Sequence, residues 1–316
     1  MNARALSFNS TNVRNMLGFA WERFALAAAA TLAPERAVDR AARLFATPPR
    51  HAHTPRELEL LATGRGFVVH VGLTRIAAWR FGREDRPAIV FSHGWGGRGA
   101  QFRYFVTPLL EAGYQVVLFD HEGHGMSEGR ESSLVHFIAG LRALIERLER
   151  DGTRVAGMVG HSLGAAAAGA YLNATGRSIR AVLIAPPTSI QRHSGHFARR
   201  FGIPETIRRR MQERFERRFG RQWHEFELPH SVAQARAPAL VIHDVDDREV
   251  SFASGTALAR AWADARIVLT RGLGHRAILR DADVVRDTLD FLAERTVFSH
   301  PARVGEASFA QPAPIV

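Results

Sequence analysis

Short apolar runs recur through the middle of the chain, spaced so that a helix fits between each pair. Ala88–Ser92 (AIVFS), Gln115–Asp120 (QVVLFD), Arg154–Gly160 (RVAGMVG), Arg180–Ala185 (RAVLIA), Ala239–His243 (ALVIH) and Arg266–Thr270 (RIVLT) are strand-length and apolar nearly throughout. Hydrophobicity that is continuous rather than alternating means that both strand faces are covered, so these segments predict a mostly parallel sheet. Helix-length stretches separate them, at about 100–112, 134–150, the Ala-rich run from Leu163 to about Asn173, and 282–294. Upstream, Gly66–Gly72 (GFVVHVG) and Leu73–Phe81 (LTRIAAWRF) turn at Gly72 and predict an antiparallel opening. The predicted fold class is therefore α/β, with helices on both faces of the sheet.

Three regions depart from this rhythm. Phe24–Ala33 (FALAAAATLA) and the PERAVDRAARLF that follows carry a helical pattern interrupted at Pro34, which predicts an N-terminal helical arm over residues 1–65. Trp21-Glu22-Arg23 and the polar lead before it fit a secretory signal poorly, and no run approaches the ~18 apolar residues of a spanning helix. A cytoplasmic protein is expected on that basis. A body over 66–297 carries an insertion at about 188–235, and a Pro- and Ala-rich tail at 298–316 is expected to be loosely ordered. Within the insertion, Pro204 and Gly220 bound a predicted helix in which Ile207, Met211, Phe215 and Phe219 recur every fourth residue. That stripe either packs the helix onto the body or makes it a lid, with Met211, Phe215 and Phe219 lining a substrate pocket.

The 316 residues, 46% of them hydrophobic, suffice for one large core. Cysteine is absent, which excludes disulfides, thiolate metal sites and cysteine nucleophiles. The net charge of +11 comes entirely from arginine, since the chain has no lysine. Ten of these arginines fall between Arg192 and Arg221, covering the face of the insertion helix that the apolar stripe leaves. A basic face of this kind suits peripheral contact with an anionic membrane. A nucleic-acid partner is not expected, because no recognised binding fold accompanies the arginines.

The chemistry collects after the strands, at the sheet edge where parallel α/β folds place their sites. Gly160-His161-Ser162-Leu163-Gly164 follows one strand and opens a helix, the context that G-x-S-x-G requires. A serine at such a turn sits in strained dihedrals, and larger neighbours would strike the adjoining strand or helix. Helix-start amides then face the position of a developing oxyanion. A base and an orienting carboxylate should come from loops on the same edge. Among His93, His121, His124, His161 and His275, the adjacent His161 is a poor base because neighbours in a tight turn point apart. His93 and His161 are expected to pack beneath the nucleophile loop. His275, on a loop after the last strand and two glycines, is the favoured base. Asp244, Asp246 and Asp247 (IHDVDDREV) all remain candidates for the acid. Backbone amides of Leu163 and of Trp95, in His93-Gly94-Trp95-Gly96-Gly97, are the expected oxyanion donors.

These motifs resemble those of the α/β-hydrolase superfamily, over roughly residues 66–296. The family's HG-x-G loop, D-x-x-GHG-x-S turn, G-x-S-x-G elbow, acid loop and GH motif correspond to HGWG, DHEGHGMS, GHSLG, DVDD and Gly274-His275. The resemblance implies the order Ser162, Asp247, His275 and so places the acid at Asp247, although Asp244 stands where the family usually has glycine. It implies a serine hydrolase that cleaves carboxylic esters through an acyl-enzyme, acting on a small-molecule ester of short to medium acyl chain, with no metal or cofactor. Haloalkane dehalogenases and epoxide hydrolases use a carboxylate nucleophile, and Ser162 argues against both. Monoacylglycerol lipases, lysophospholipases, thioesterases and carbon–carbon bond hydrolases share the triad, and GHGMSEG is similar to the turn of the first group. A non-catalytic receptor or scaffold of the same fold is the alternative from a different class.

Overall fold

The structure, a computed structural model, describes residues 10–294, so the predicted tail lies outside the described residues. The chain folds into two compact units that do not follow sequence order. One joins the chain up to Ala46 with Ile190–Trp223; the other joins Thr47–Ser189 with the chain from His224 onward.

The larger unit is built on an eight-stranded sheet. Its strands are β1 (Arg65–Val71), β2 (Thr74–Phe81), β3 (Ala88–Ser92), β4 (Gln115–Phe119), β5 (Val155–His161), β6 (Arg180–Ile184), β7 (Ala239–Asp244) and β8 (Ala265–Thr270). They lie in the order β1-β2-β4-β3-β5-β6-β7-β8. β1 pairs antiparallel with β2, and β2 antiparallel with β4; every later pairing is parallel. All residues of β3, β4 and β7 are buried, as expected for strands covered on both faces. Alternate side chains go to opposite layers. Val90, Met158 and Val241 join one apolar cluster with Leu141 and Leu144 of α5 (Leu134–Arg150) and Ala168 and Leu172 of α6 (Leu163–Thr175). Ile89, Phe91, Val159 and Ile242 join the other, with Phe105 and Leu109 on the segment Arg103–Glu111 and Val284 and Phe291 on Ala282–Leu292.

The smaller unit is a four-helix cluster of α1 (Ser10–Leu32), α2 (Pro34–Ala46), α7 (Ile190–Phe201) and α8 (Glu205–Phe219) (α3 is Pro55–Thr63 and α4 is Arg103–Glu111). Pro34 opens α2 where its missing N–H is harmless, and Gly220 ends α8 in the left-handed region at φ 62°. Its core holds Leu26, Val38, Ala41, Ile207, Met211, Phe215 and Trp223, with the Phe45 ring 5.2, 5.8 and 6.0 Å from those of Phe197, Phe215 and Trp223. This corrects the reading of the insertion stripe. Met211 is fully buried and Phe215 nearly so among helices of this unit, and Phe219 stacks on Phe215 at 6.1 Å. These side chains form a helix–helix core, not a pocket wall. The predicted arm also divides, because α2 belongs with the insertion whereas α3 packs on β1 in the larger unit. Two amphipathic segments far apart in sequence cover each other's apolar faces, a pairing that periodicity within either segment does not reveal.

Candidate active site

Every loop that carries a candidate residue belongs to the larger unit. Ser162 sits between β5 and α6 with φ 52° and ψ −123°, a strained backbone for a non-glycine residue. Its N–H donates to the Ile184 carbonyl of β6 at 2.9 Å, which pins the turn to the neighbouring strand. The flanking glycines are there for space. A Cβ at Gly160 would lie 2.5 Å from the Ala165 Cα, and one at Gly164 would lie 2.1 Å from the Ser92 carbonyl oxygen. The elbow is thus wedged between its own helix and the end of β3.

The loop after β3 meets it from the other side, where a Cβ at Gly94 would stand 2.9 Å from that of Ser162. The next residue is Trp95. Among the described residues, neither the Trp95 amide nor that of Leu163 donates to a protein acceptor. Both are thus unspent donors, one on the residue after Gly94 and the other on the residue after Ser162. The Ser162 hydroxyl, for its part, makes no hydrogen bond to a protein group among the described residues and does not cap α6.

His275 lies in a short helical turn (Gly274–Ala277) after β8, and its Nδ1 is 2.7 Å from Oδ2 of Asp247. The carboxylate accepts, so Nδ1 carries the proton and Nε2 is left as a base. Oδ1 of Asp247 accepts the N–H groups of Glu249 and Val250 at 2.8 and 2.9 Å. Burial opposes ionisation of Asp247, but hydrogen bonds from His243, His275 and the Val250 amide outweigh it and hold the carboxyl far below its ordinary range. Asp244 has a different task. It accepts from the Thr270 hydroxyl at 2.8 Å and from the Asp246 and Leu273 amides at 3.0 Å, which ties the end of β7 to the loop that bears His275. Asp246 is exposed and accepts the Gly272 amide at 3.0 Å. Of the three acidic candidates, Asp247 is the one brought to His275.

The remaining histidines are structural. His161 donates from Nε2 to the carbonyl of His275 at 2.9 Å, and its Nδ1 lies 3.4 Å from the Gln101 amide nitrogen. It therefore locates the His275 backbone. Burial, with His275 nearby, pushes its pKa down to about 3, so it stays neutral. His93 donates from Nδ1 to the Gly94 carbonyl at 2.8 Å and accepts the His121 amide at Nε2, 2.9 Å away. His121 reaches the Ser92 hydroxyl at 2.8 Å and stacks on Phe137, with ring centroids 3.7 Å apart. His124 packs edge-on to Trp95 at 5.4 Å, and burial lowers its pKa to about 4. The turn that bears it is closed by Asp120, which accepts the Gly99 and Met126 amides at 2.7 and 2.8 Å. Arg50 clamps the same turn through the carbonyls of Gly123, Ser127 and Gly129 at 2.9, 2.8 and 2.7 Å.

Two residues escaped the sequence reading. Arg50 lies before the first strand, where no pattern links it to the turn. His243 is the penultimate residue of β7, four residues before Asp247; its Nε2 is 3.0 Å from the Val250 carbonyl and 3.4 Å from Oδ2 of Asp247. Its position at a strand end was the available signal. Among the described residues, no cluster of three or more His, Asp or Glu side chains has the geometry to hold a metal ion.

A serine elbow beside two free amides, with a histidine–aspartate pair delivered by the last two strand loops, is the architecture of a hydrolase. The chain belongs to the alpha/beta hydrolase family, whose profile matches residues 89–288. It is 33% identical over 124 residues to a non-heme chloroperoxidase of Burkholderia pyrrocinia, covering 36% of this chain and 43% of that protein. It is also 33% identical over 117 residues to a non-heme haloperoxidase of Rhodococcus erythropolis, covering 35% and 41% respectively. The chain thus matches under half the length of these relatives. Among solved structures, an esterase of Pyrococcus furiosus has the same fold at a TM-score of 0.61 and 18% identity, over 78% of this chain and 99% of that one.

Proposed function

We propose that the protein is a carboxylic ester hydrolase working through a Ser162 acyl-enzyme. The observation that carries this reading is the 2.7 Å contact between His275 and Asp247 on loops that converge with the strained Ser162 turn. His275 Nε2 takes the Ser162 proton as the oxygen attacks the ester carbonyl. The Trp95 and Leu163 amides hold the oxyanion, and Asp247 stabilises the imidazolium. His275 then protonates the departing alcohol and activates water, which cleaves the acyl-enzyme and restores Ser162.

Ser162→Ala is expected to reduce p-nitrophenyl acetate turnover by ~10⁴-fold or more and to abolish labelling by a fluorophosphonate. Turnover near that of the parent, or a parent protein that fluorophosphonate does not label, defeats the reading; the second outcome would favour a non-catalytic scaffold. The haloperoxidase relatives favour one second reading, in which hydrogen peroxide replaces water as acyl acceptor. Attack by peroxide oxygen on the acyl-enzyme carbonyl would release a peroxy acid and free Ser162. Peroxide-dependent halogenation that requires both a carboxylic acid and Ser162 separates this reading from simple hydrolysis.

A further inference from the structure

We propose that the smaller unit is a docking surface for an anionic lipid membrane, with the outer face of α1 seated among the headgroups. Trp21, Phe24 and Leu32 are 63%, 65% and 84% exposed. They follow one another, through Ala28, at spacings of three, four and four residues, so they share a face of α1 opposite the buried Leu26. The Trp21 and Phe24 rings lie 6.0 Å apart and form a continuous aromatic edge. Large apolar side chains this exposed mark an interaction surface.

Charge identifies the occupant. Residues 18–46 and 190–223 carry fourteen arginines against six acidic side chains, a net +8 of the +11 on the whole chain. The acidic groups are already engaged: Glu22 with Arg40 at 2.8 Å, Glu205 with Arg208 at 2.6 Å, Glu35 with Arg210, Asp39 with Arg214, and Glu213 with Arg217 at 4.0 Å. Glu216 accepts from Gln212 and from the Trp223 amide. The excess charge resides on exposed arginines such as Arg36, Arg199, Arg200 and Arg209.

A polyanion such as nucleic acid would neutralise the arginines and leave the aromatic edge in water. A second copy would bury the edge but oppose +8 to +8. An anionic bilayer surface satisfies both features, with aromatic side chains at the headgroup level and arginines against acidic lipid. Among the described residues no helix is long and apolar enough to cross a membrane, which fits attachment in the plane of the interface.

Co-sedimentation of the full chain with vesicles tests this, comparing phosphatidylcholine alone with phosphatidylcholine containing phosphatidylglycerol, at low and raised salt. The parent should bind the anionic vesicles only, and less at raised salt. Arg199→Glu with Arg200→Glu should weaken binding at least roughly fivefold per arginine, about 1 kcal/mol each. Trp21→Ser with Phe24→Ser should weaken it at least as much while leaving the circular-dichroism melting curve in place. Anionic vesicles left unbound, or bound equally by the serine variant, overturn the proposal. So does a dimer in sedimentation equilibrium that the serine variant dissolves, or duplex DNA bound in preference to vesicles.

Discussion

Asp247→Asn isolates the carboxylate's part in the proposed chemistry with almost no change in shape. Oδ1 of Asp247 accepts two backbone N–H groups at 2.8 and 2.9 Å, and Oδ2 accepts His275 at 2.7 Å. An asparagine keeps the two backbone bonds only with its carbonyl oxygen in the Oδ1 position, which turns its NH₂ toward His275. The reverse placement sets the NH₂ against two donors instead of one. In the favoured orientation His275 escapes the donor–donor clash by moving its proton to Nε2, the nitrogen that should receive the Ser162 proton. The variant should therefore fold normally and lose ~10⁴-fold in kcat, equivalent to about 5.4 kcal/mol of transition-state stabilisation. The assay is p-nitrophenyl acetate hydrolysis, with enzyme concentration set by protein absorbance and folding checked by circular dichroism. Asp244→Asn is the comparator. It disturbs the ties to Thr270, Leu273 and Asp246, so it should lower Tm by several degrees while kcat per folded molecule stays within about tenfold. Asp247→Asn within tenfold of the parent, or Asp244→Asn as damaging to kcat, would refute this assignment of roles.

Two further outcomes follow from the same geometry. His243→Leu removes a donor from the Val250 carbonyl and from Asp247; the 3.4 Å contact to the carboxylate is long, so kcat should fall about tenfold with KM unchanged. Steady-state kinetics that show full kcat with only a lower Tm would reduce His243 to packing. Burial lowers the pKa values of His93, His121, His124 and His161, the last two to about 4 and about 3, whereas in the unfolded chain each titrates near 6.5. As pH falls, the unfolded chain takes up these protons first, so stability is held above pH 6.5 and lost progressively towards the folded-state values, by about 1.4 kcal/mol per pH unit for each histidine. Urea midpoints measured from pH 8 to pH 5 should drop below pH 6.5, and a flat profile would contradict the neutral histidine cluster.

The sheet was legible because buried parallel strands leave an unmistakable pattern. Ala88–Ser92 and Leu134–Arg150 appear with the expected limits, and the other strands shift by a residue or so. Strand order was not legible: that β4 lies between β2 and β3 depends on how helices pack across the sheet. The loops bearing Ser162, His275 and Trp95 could be found because each joins glycine to a polar or aromatic residue after a strand. The choice of Asp247 over Asp244 came only through the family resemblance, since three carboxylates within four residues look alike until their acceptor contacts are seen. The role of Met211 and Phe215 stayed open between two readings for a related reason. A helical stripe declares that something covers it, and here the cover is a segment of the chain more than 140 residues earlier.

That long-range pairing sets an order of events during synthesis. α1 and α2 are the first described helices to leave the ribosome, yet Leu26, Val38 and Phe45 gain the rest of their core only as residues 190–223 are made. In the interval the strands β1 to β6 can form and pair while the early helices keep their apolar faces uncovered. The smaller unit is thus completed late, by a loop closure that spans most of the larger one. Removing the first 46 residues would not simply trim an arm: it would strip the cover from α8 and expose Ile207, Met211 and Phe215 together. The N-terminal segment serves as the missing half of a domain whose other half is encoded in an insertion.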